Sequence, residues 1–282
     1  MSIAIEEYQE LSTLGKVIDL DPHNRRIKVY QMPQEEVFLE VKESLEKMAI
    51  EKQCDKIIFY SKEDEVDCLN QADCEKEGLI HGFFQGEDAH IYSLFLNEER
   101  NQPVAWEQEK KVMEIIKQNQ KEALELELPD EFTLRSAKID DAPRMAKLYD
   151  DVFETYPTPI NEAEFIEEMM NDHVYFTIVE HDGELVSACS ADVFPAFNAA
   201  EMTDCATLPQ YRGRGLLSQQ FIHLERKMEN LGVQTLFSYS RAVSVGMNLI
   251  NARHGYKYGG KMIQNSNISG RLEDMNIWVK NL

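Results

Sequence analysis

The stretch TLPQYRGRGLLSQQF, residues 207–221, constrains this chain more than any other. It places Gly213 and Gly215, with Arg212 and Arg214, at the junction of a strand and a helix. A helix N-terminus presents unpaired backbone N–H groups and the positive end of its dipole, which favours phosphate. Phosphate can approach closely only where the preceding turn lacks bulky side chains, and the two glycines meet that need. Three kinds of glycine turn compete for the stretch. A Walker loop requires Gly-Lys-Ser/Thr after four spacers, which is missing. A dinucleotide fingerprint requires a third glycine near position 218, which is Ser218. A lone Arg-Gly-Arg-Gly run also suits RNA, but weakly in an acidic protein.

Charge sharpens the choice. The 282 residues carry a net charge of -22, which argues against nucleic acid or an anionic membrane as a partner. Residues 1–127 hold 29 acidic and 15 basic side chains, whereas residues 205–272 hold only Glu225 and Glu229 against nine Lys or Arg. A basic island that begins at the glycine turn suits a small polyanion. Cys54, Cys68, Cys74, Cys189 and Cys205 form no CxxC pair and have no histidine at ligand spacing, so reduced thiols and no metal are expected. The start MSIAIEEYQE has no secretory pattern, and no apolar run reaches the roughly 20 residues of a membrane span. A cytoplasmic location is expected.

A helical pattern, WEQEKKVMEIIKQNQKEALE (106–125), gives way near Pro129 to the strand FTLRS, which puts a domain boundary near residue 128. From there the pattern predicts a strand over 132–136, helices over 139–153 and 161–170, and two strands joined by the hairpin signal HDGE. A strand over 200–207, the glycine turn, a helix over 215–231, the strand QTLFSYS, a helix over 243–254 and strands near 256–263 and 272–280 follow. This is a mixed α/β sheet with helices on its faces. The first part echoes the last: KIIFYSK resembles TLFSYSR, GLIHG matches GYKYG, and DAHIYSLFL matches DMNIWVK. Residues 1–127 then form a smaller α/β domain like half of the second but without a glycine turn, with a structural or substrate-shaping role. Residues 128–282 form the domain that carries the turn.

The pattern QxxGxG between strand and helix, Gln210, Gly213 and Gly215, resembles the pyrophosphate loop of the GNAT acetyltransferase superfamily, and the order of elements from 132 to 280 resembles that fold. The stretch AEMTDCATLPQYRGRGLLSQQ and the tail NSNISGRLEDMNIWVK resemble, more closely, the beta-lysine N-acetyltransferase family within it. The resemblance implies acetyl transfer from acetyl-CoA to a small-molecule amine, in a ternary complex and without a metal. Gln210, Tyr211, Arg212, Gly213, Arg214 and Gly215 would hold the pyrophosphate, and Ser244 or Asn248 the pantetheine. Backbone N–H groups at Thr207 and Leu208 would face the thioester oxygen.

An alkyl ammonium with a pKa of ~10.4 must lose its proton before it can attack. AEMTDCAT resembles the strand on which several members of the superfamily carry their base, and that resemblance makes Glu201 the first candidate for the base and Asp204 the second. On a regular strand they would point to opposite faces unless a bulge intervenes. The position at which many relatives carry a tyrosine acid is Asn251, so Tyr239, Tyr256 or water would serve instead. A diamino acid pocket needs acidic groups at one end and Arg or amide donors at the other, with Tyr156, Asp204, and Asn265 and Asn267 of the late turn as candidates, and Arg271 for the carboxylate. Other acceptors remain open: a polyamine, an aminoglycoside or a protein N-terminus. So does a module that senses acyl-CoA without turnover.

Overall fold

A computed structural model describes residues 17–119 and 127–282. The opening decapeptide and residues 120–125 of the expected long helix lie outside the described residues. Among the described residues, twelve strands, β1 (Ile18–Asp21), β2 (Arg26–Val29), β3 (Lys56–Ser61), β4 (Glu75–Phe84), β5 (Glu87–Phe95), β6 (Phe132–Ser136), β7 (Val174–His181), β8 (Glu184–Phe194), β9 (Ala199–Thr207), β10 (Thr235–Arg241), β11 (Lys257–Ile268) and β12 (Arg271–Asn281), form one sheet. The helices are α1 (Phe38–Glu51), α2 (Val66–Gln71), α3 (Trp106–Asn119), α4 (Ala142–Val152), α5 (Ala163–Asn171), α6 (Leu216–Asn230) and α7 (Val245–Arg253). None is long and apolar enough to cross a membrane.

The sheet order is β1-β2-β3-β5-β4-β11-β12-β10-β9-β8-β7-β6. Outward from the β4–β11 seam, the two sides read β4-β5-β3-β2-β1 and β11-β12-β10-β9-β8. The first side repeats the second. β2 runs parallel to β3, as β9 runs parallel to β10. The connecting helices correspond as well: α1 lies between β2 and β3 as α6 lies between β9 and β10, and α2 corresponds to α7. The sequence echo therefore maps strand for strand onto the topology. The two sides nevertheless belong to a single continuous sheet.

Alternation explains how the sheet curls. In β3, Ile57 and Phe59 pack beneath Phe38, Val41, Leu45 and Ala49 of α1, whose spacing puts them on one helix face. Ile58 and Tyr60 point the other way, into a core shared with Phe83, Ile91, Phe237, Met262 and Ile277. Phe83 lies 5.5 Å from the Tyr60 ring and 5.6 Å from that of Phe237. The Tyr60 and Tyr239 hydroxyls meet at 2.7 Å. The inner face of the first half thus packs against that of the second, and the sheet curls around its own interior.

The seam itself is built on glycine. Gly78 pairs with Gly260, and a Cβ on Gly259 would lie 2.3 Å from the Leu79 carbonyl oxygen. Only backbones without side chains can approach so closely.

One expectation needs correction. Asn265 and Asn267, expected in a turn, lie within β11. The ladder between β11 and β12 shifts register between Met262 and Ser266, so the Asn-rich run is an irregular strand, and the reversal comes at Ser269 and Gly270.

Candidate active site

Gly213 and Gly215 both have φ of +79°, the left-handed region that L side chains avoid. A Cβ on Gly213 would meet nothing within 4 Å, so this glycine serves backbone shape and access rather than packing. Gly215 is the N-cap of α6 and supplies no side-chain cap, and the first turn of α6 contains no acidic residue. Its leading N–H groups therefore point outward uncapped, with Arg212 beside them. These features fit a pyrophosphate cradle. Arg212 donates from Nε to the Thr207 carbonyl at 3.1 Å. Arg214 lies over the rings of Tyr211 and Phe132 at 5.6 and 5.8 Å.

The cradle opens into a cavity of about 1160 Å³. Two irregularities of β9 shape it. First, β9 and β10 pair only over Ala199–Glu201 and Thr235–Phe237, so beyond Glu201 the strands part and the edge of β9 faces open space. Second, the β8–β9 ladder loses register between the pairs Ala188–Ala206 and Ser190–Thr203, with Asp204 at φ +50°. Two residues, Asp204 and Cys205, thus oppose Cys189 alone. That bulge turns Asp204 onto the side that Glu201 already faces, and both line the cavity.

The acidic wall is anchored from several elements. Asp204 is buried and accepts hydrogen bonds from Ser190 Oγ at 2.6 Å and Tyr156 Oη at 3.1 Å. Tyr149 Oη donates to its backbone carbonyl at 2.7 Å. Burial raises the Asp204 carboxyl above the usual range, while the Ser190 and Tyr156 hydrogen bonds pull it down. Although its backbone pairs with Phe237 and Asp192, the Glu201 carboxylate receives no hydrogen bond from the protein among the described residues. Burial pushes it up to about 8, opposed by the Lys28 ammonium and reinforced by Asp192 and Asp204. Asp192 rises to about 7, chiefly through burial and next through Asp204. Among the described residues, no group of three His, Cys, Asp or Glu side chains is arranged to hold a metal.

Thr207, Tyr211, Arg212, Gly213, Gly215, Ser244, Tyr156 and Asn265 join the two carboxylates in the cavity wall. Leu208, Gln210, Arg214, Asn248, Asn267 and Arg271 do not. The Leu208 N–H is engaged by the Val186 carbonyl at 3.0 Å. Asn248 is fully buried, and its amide is held by Arg241, Ser244, Asn276 and Trp278. The Asn267 N–H donates to Asn24 Oδ1 at 2.7 Å, and Arg271 pairs with Glu273. Of the possible proton donors, Tyr239 lines the cavity but is tied to Tyr60, whereas Tyr256 and Asn251 lie outside the lining. Asn251 donates to Ser240 Oγ at 2.8 Å.

Sequence reasoning missed a wall contributed by the first half: Arg26, Lys28, Tyr30 and Tyr60 all line this cavity, as does Asp192. In RIKVY, residues 26–30, alternation sends Ile27 and Val29 into the core under α1 and the other three to the cavity. The available signal was two cations on the face opposite two core residues. The turn before β2 also contacts the loop that carries the lining residues Tyr156 and Pro157. His23 Nε2 lies 2.9 Å from the Tyr156 carbonyl oxygen, and Asn24 Nδ2 donates to that of Pro157 at 3.1 Å.

Known proteins fit this arrangement. The Acetyltransferase (GNAT) family profile matches residues 142–259. The chain is similar to N-acetyltransferase YodP of Bacillus subtilis (strain 168), 36% identical over 274 residues that span 96% of this chain and 98% of that protein. It is also similar to the beta-lysine N(6)-acetyltransferase of Methanosarcina mazei, 32% identical over 87% of this chain and 98% of that protein. A third relative, the beta-lysine N(6)-acetyltransferase of Methanococcus maripaludis, is 31% identical over 72% of this chain and 74% of its own length. A glycine cradle at a helix start, a parted strand pair and relatives matched over nearly the whole length lead to one conclusion: the chain belongs to the GNAT family of acetyltransferases, enzymes that draw their acetyl group from acetyl-CoA.

Proposed function

We propose that this enzyme acetylates the terminal amine of beta-lysine to give N-epsilon-acetyl-beta-lysine, a neutral compatible solute, in the cytoplasm. The observation that carries the reading is the bulge at Asp204, which brings a second carboxylate to the face of Glu201 beside the glycine cradle. An acidic wall of this kind suits a substrate with two ammonium groups. The similarity to two relatives named beta-lysine N(6)-acetyltransferase supports the choice of amine.

The α6 N-terminus, Gly213, Gly215 and Arg212 hold the pyrophosphate of acetyl-CoA, with Gln210, Tyr211 and Arg214 at the rim and Ser244 along the pantetheine. Bound there, acetyl-CoA supplies an activated acetyl group. Glu201 accepts the proton of the ammonium, directly or through a water, and its raised pKa brings it closer to that of the amine. Asp204, held by Ser190 and Tyr156, keeps the cationic chain in line. The open edge of β9 past Glu201 offers backbone N–H groups towards the thioester oxygen. Residues 1–127 act as the unit that shapes the acceptor pocket.

Release of CoA thiol with beta-lysine, cadaverine and other amines as acceptors tests the assignment. Beta-lysine is expected to have the highest kcat/KM, and a preference for cadaverine would overturn it. A second prediction concerns the cradle. Gly215→Val forces a β-branched residue to φ +79° and fills the phosphate approach. Calorimetry should show CoA affinity weakened by about tenfold or more. Unchanged affinity would remove the cradle from the site.

A further inference from the structure

The cavity extends past the acidic wall to β2 and the residue after it, where Arg26, Lys28 and Tyr30 face inward. Their surroundings show what this end can hold. Lys28 donates to Asp19 Oδ2 at 2.8 Å, and an ammonium has three donors, so further hydrogen bonds remain to it. Arg26 is locked in place: Nε to Asp21 Oδ2 at 2.9 Å and Nη1 to the Asn265 carbonyl at 2.8 Å. Asn265 is 1% exposed and lines the cavity, yet its side-chain Oδ1 has no hydrogen-bond partner. A buried acceptor left unpaired is costly unless a ligand donor meets it. Asp192, on the opposing strand β8, faces the same space, and its charge is coupled to that of Lys28.

This end therefore offers fixed cations beside a carboxylate and an orphaned amide oxygen. A β-amino acid head group has the complementary pair, a carboxylate and an ammonium with two carbons between them. We propose that the two halves of the chain together form a specificity site for that head group: Lys28 of the first half, backed by Arg26, takes the substrate carboxylate, while Asp192 and Asn265 Oδ1 of the second half take the non-reacting ammonium. The inference rests on the beta-lysine reading and specifies how that substrate is selected. The reacting amine then extends towards Glu201 and the cradle. The carboxylate subsite thus lies on β2, and Arg271 is not part of it.

Deleting one charge from the enzyme and the matching charge from the substrate tests the assignment. Steady-state kinetics of the full chain at a pH above the Glu201 transition of every variant would compare beta-lysine with 1,4-diaminopentane, which is beta-lysine without the carboxylate, and 6-aminohexanoate, which lacks the second ammonium. Lys28→Met should raise KM for beta-lysine about tenfold to a hundredfold and leave kcat/KM for diaminopentane unchanged. Asp192→Asn should do the same for beta-lysine and spare 6-aminohexanoate. Lys28→Arg, which keeps the charge, should recover most of the affinity and covers the case in which Lys28→Met fails to fold. Equal losses on the matched and the truncated substrates would overturn the head-group site while the beta-lysine reading stands. No turnover of beta-lysine by the unmodified enzyme would sink both.

Discussion

Glutamine in place of Glu201 is expected to lower kcat about 10²- to 10³-fold while CoA affinity stays as it was. Glutamine keeps the shape and removes the proton acceptor. The carboxylate pKa of about 8 fixes the pH profile. Below that value Glu201 is protonated and cannot take a proton, so kcat/KM for the free enzyme should rise with pH through a limb near 8, and the variant should lack that limb. Neighbouring charges give the sign of further shifts. Asp192 raises the Glu201 pKa, so Asp192→Asn moves the limb to lower pH, whereas removal of Lys28, which lowers it, moves the limb up. The same raised pKa means that ionising Glu201 costs the native state stability as pH rises from its unfolded value to about 8. Glu201→Gln is therefore expected to melt no lower than the parent at neutral pH, which separates lost chemistry from lost fold. A variant that keeps full turnover would exclude Glu201 as the base.

The second large effect is structural and far from the chemistry. Gly260→Ala puts a Cβ 2.3 Å from the Glu77 carbonyl oxygen and 2.5 Å from Gly78 Cα, at a φ of +146°. Both obstacles are backbone, so no rotamer change relieves them, and the β4–β11 ladder must open. A loss of about 3 kcal/mol or more is expected, seen as a fall in thermal midpoint of roughly 5–10 °C. Because the inner core is shared across the seam, unfolding and loss of acetyl transfer should coincide. The contrast is Gly86, where a Cβ meets nothing within 4 Å, although its φ of +104° still strains a side chain. An unchanged midpoint for Gly260→Ala would show that the seam does not depend on close backbone contact.

From Phe132 onward the strands and helices were legible because each is short, periodic and bounded by turn residues. The glycine turn was legible because its chemistry is local: absent side chains, followed at once by a helix start. What lay hidden was set by pairing between distant segments. Gly78 and Gly259 stood out only as parts of the GLIHG and GYKYG echo, and nothing nearby in sequence announces that two backbones touch at Gly78, Gly259 and Gly260. The bulge that turns Asp204 towards Glu201 depends on the register of β8 against β9, which alternation within β9 cannot reveal. Arg26 and Lys28 carry no local motif that marks a site. Only the curl of the sheet brings them to the cavity. Asn265 and Asn267 read as a turn because asparagine favours turns, yet the irregular ladder with β12 holds them in a strand.

The mirrored sheet order has a consequence for how such an enzyme changes its diet. The cradle belongs to one copy of the repeated unit, so the other copy is relieved of gripping nucleotide and its inward side chains can drift. In the proposed head-group site, changes at two alternate positions of one short strand would alter which amine is admitted, while the machinery that delivers the acetyl group remains untouched.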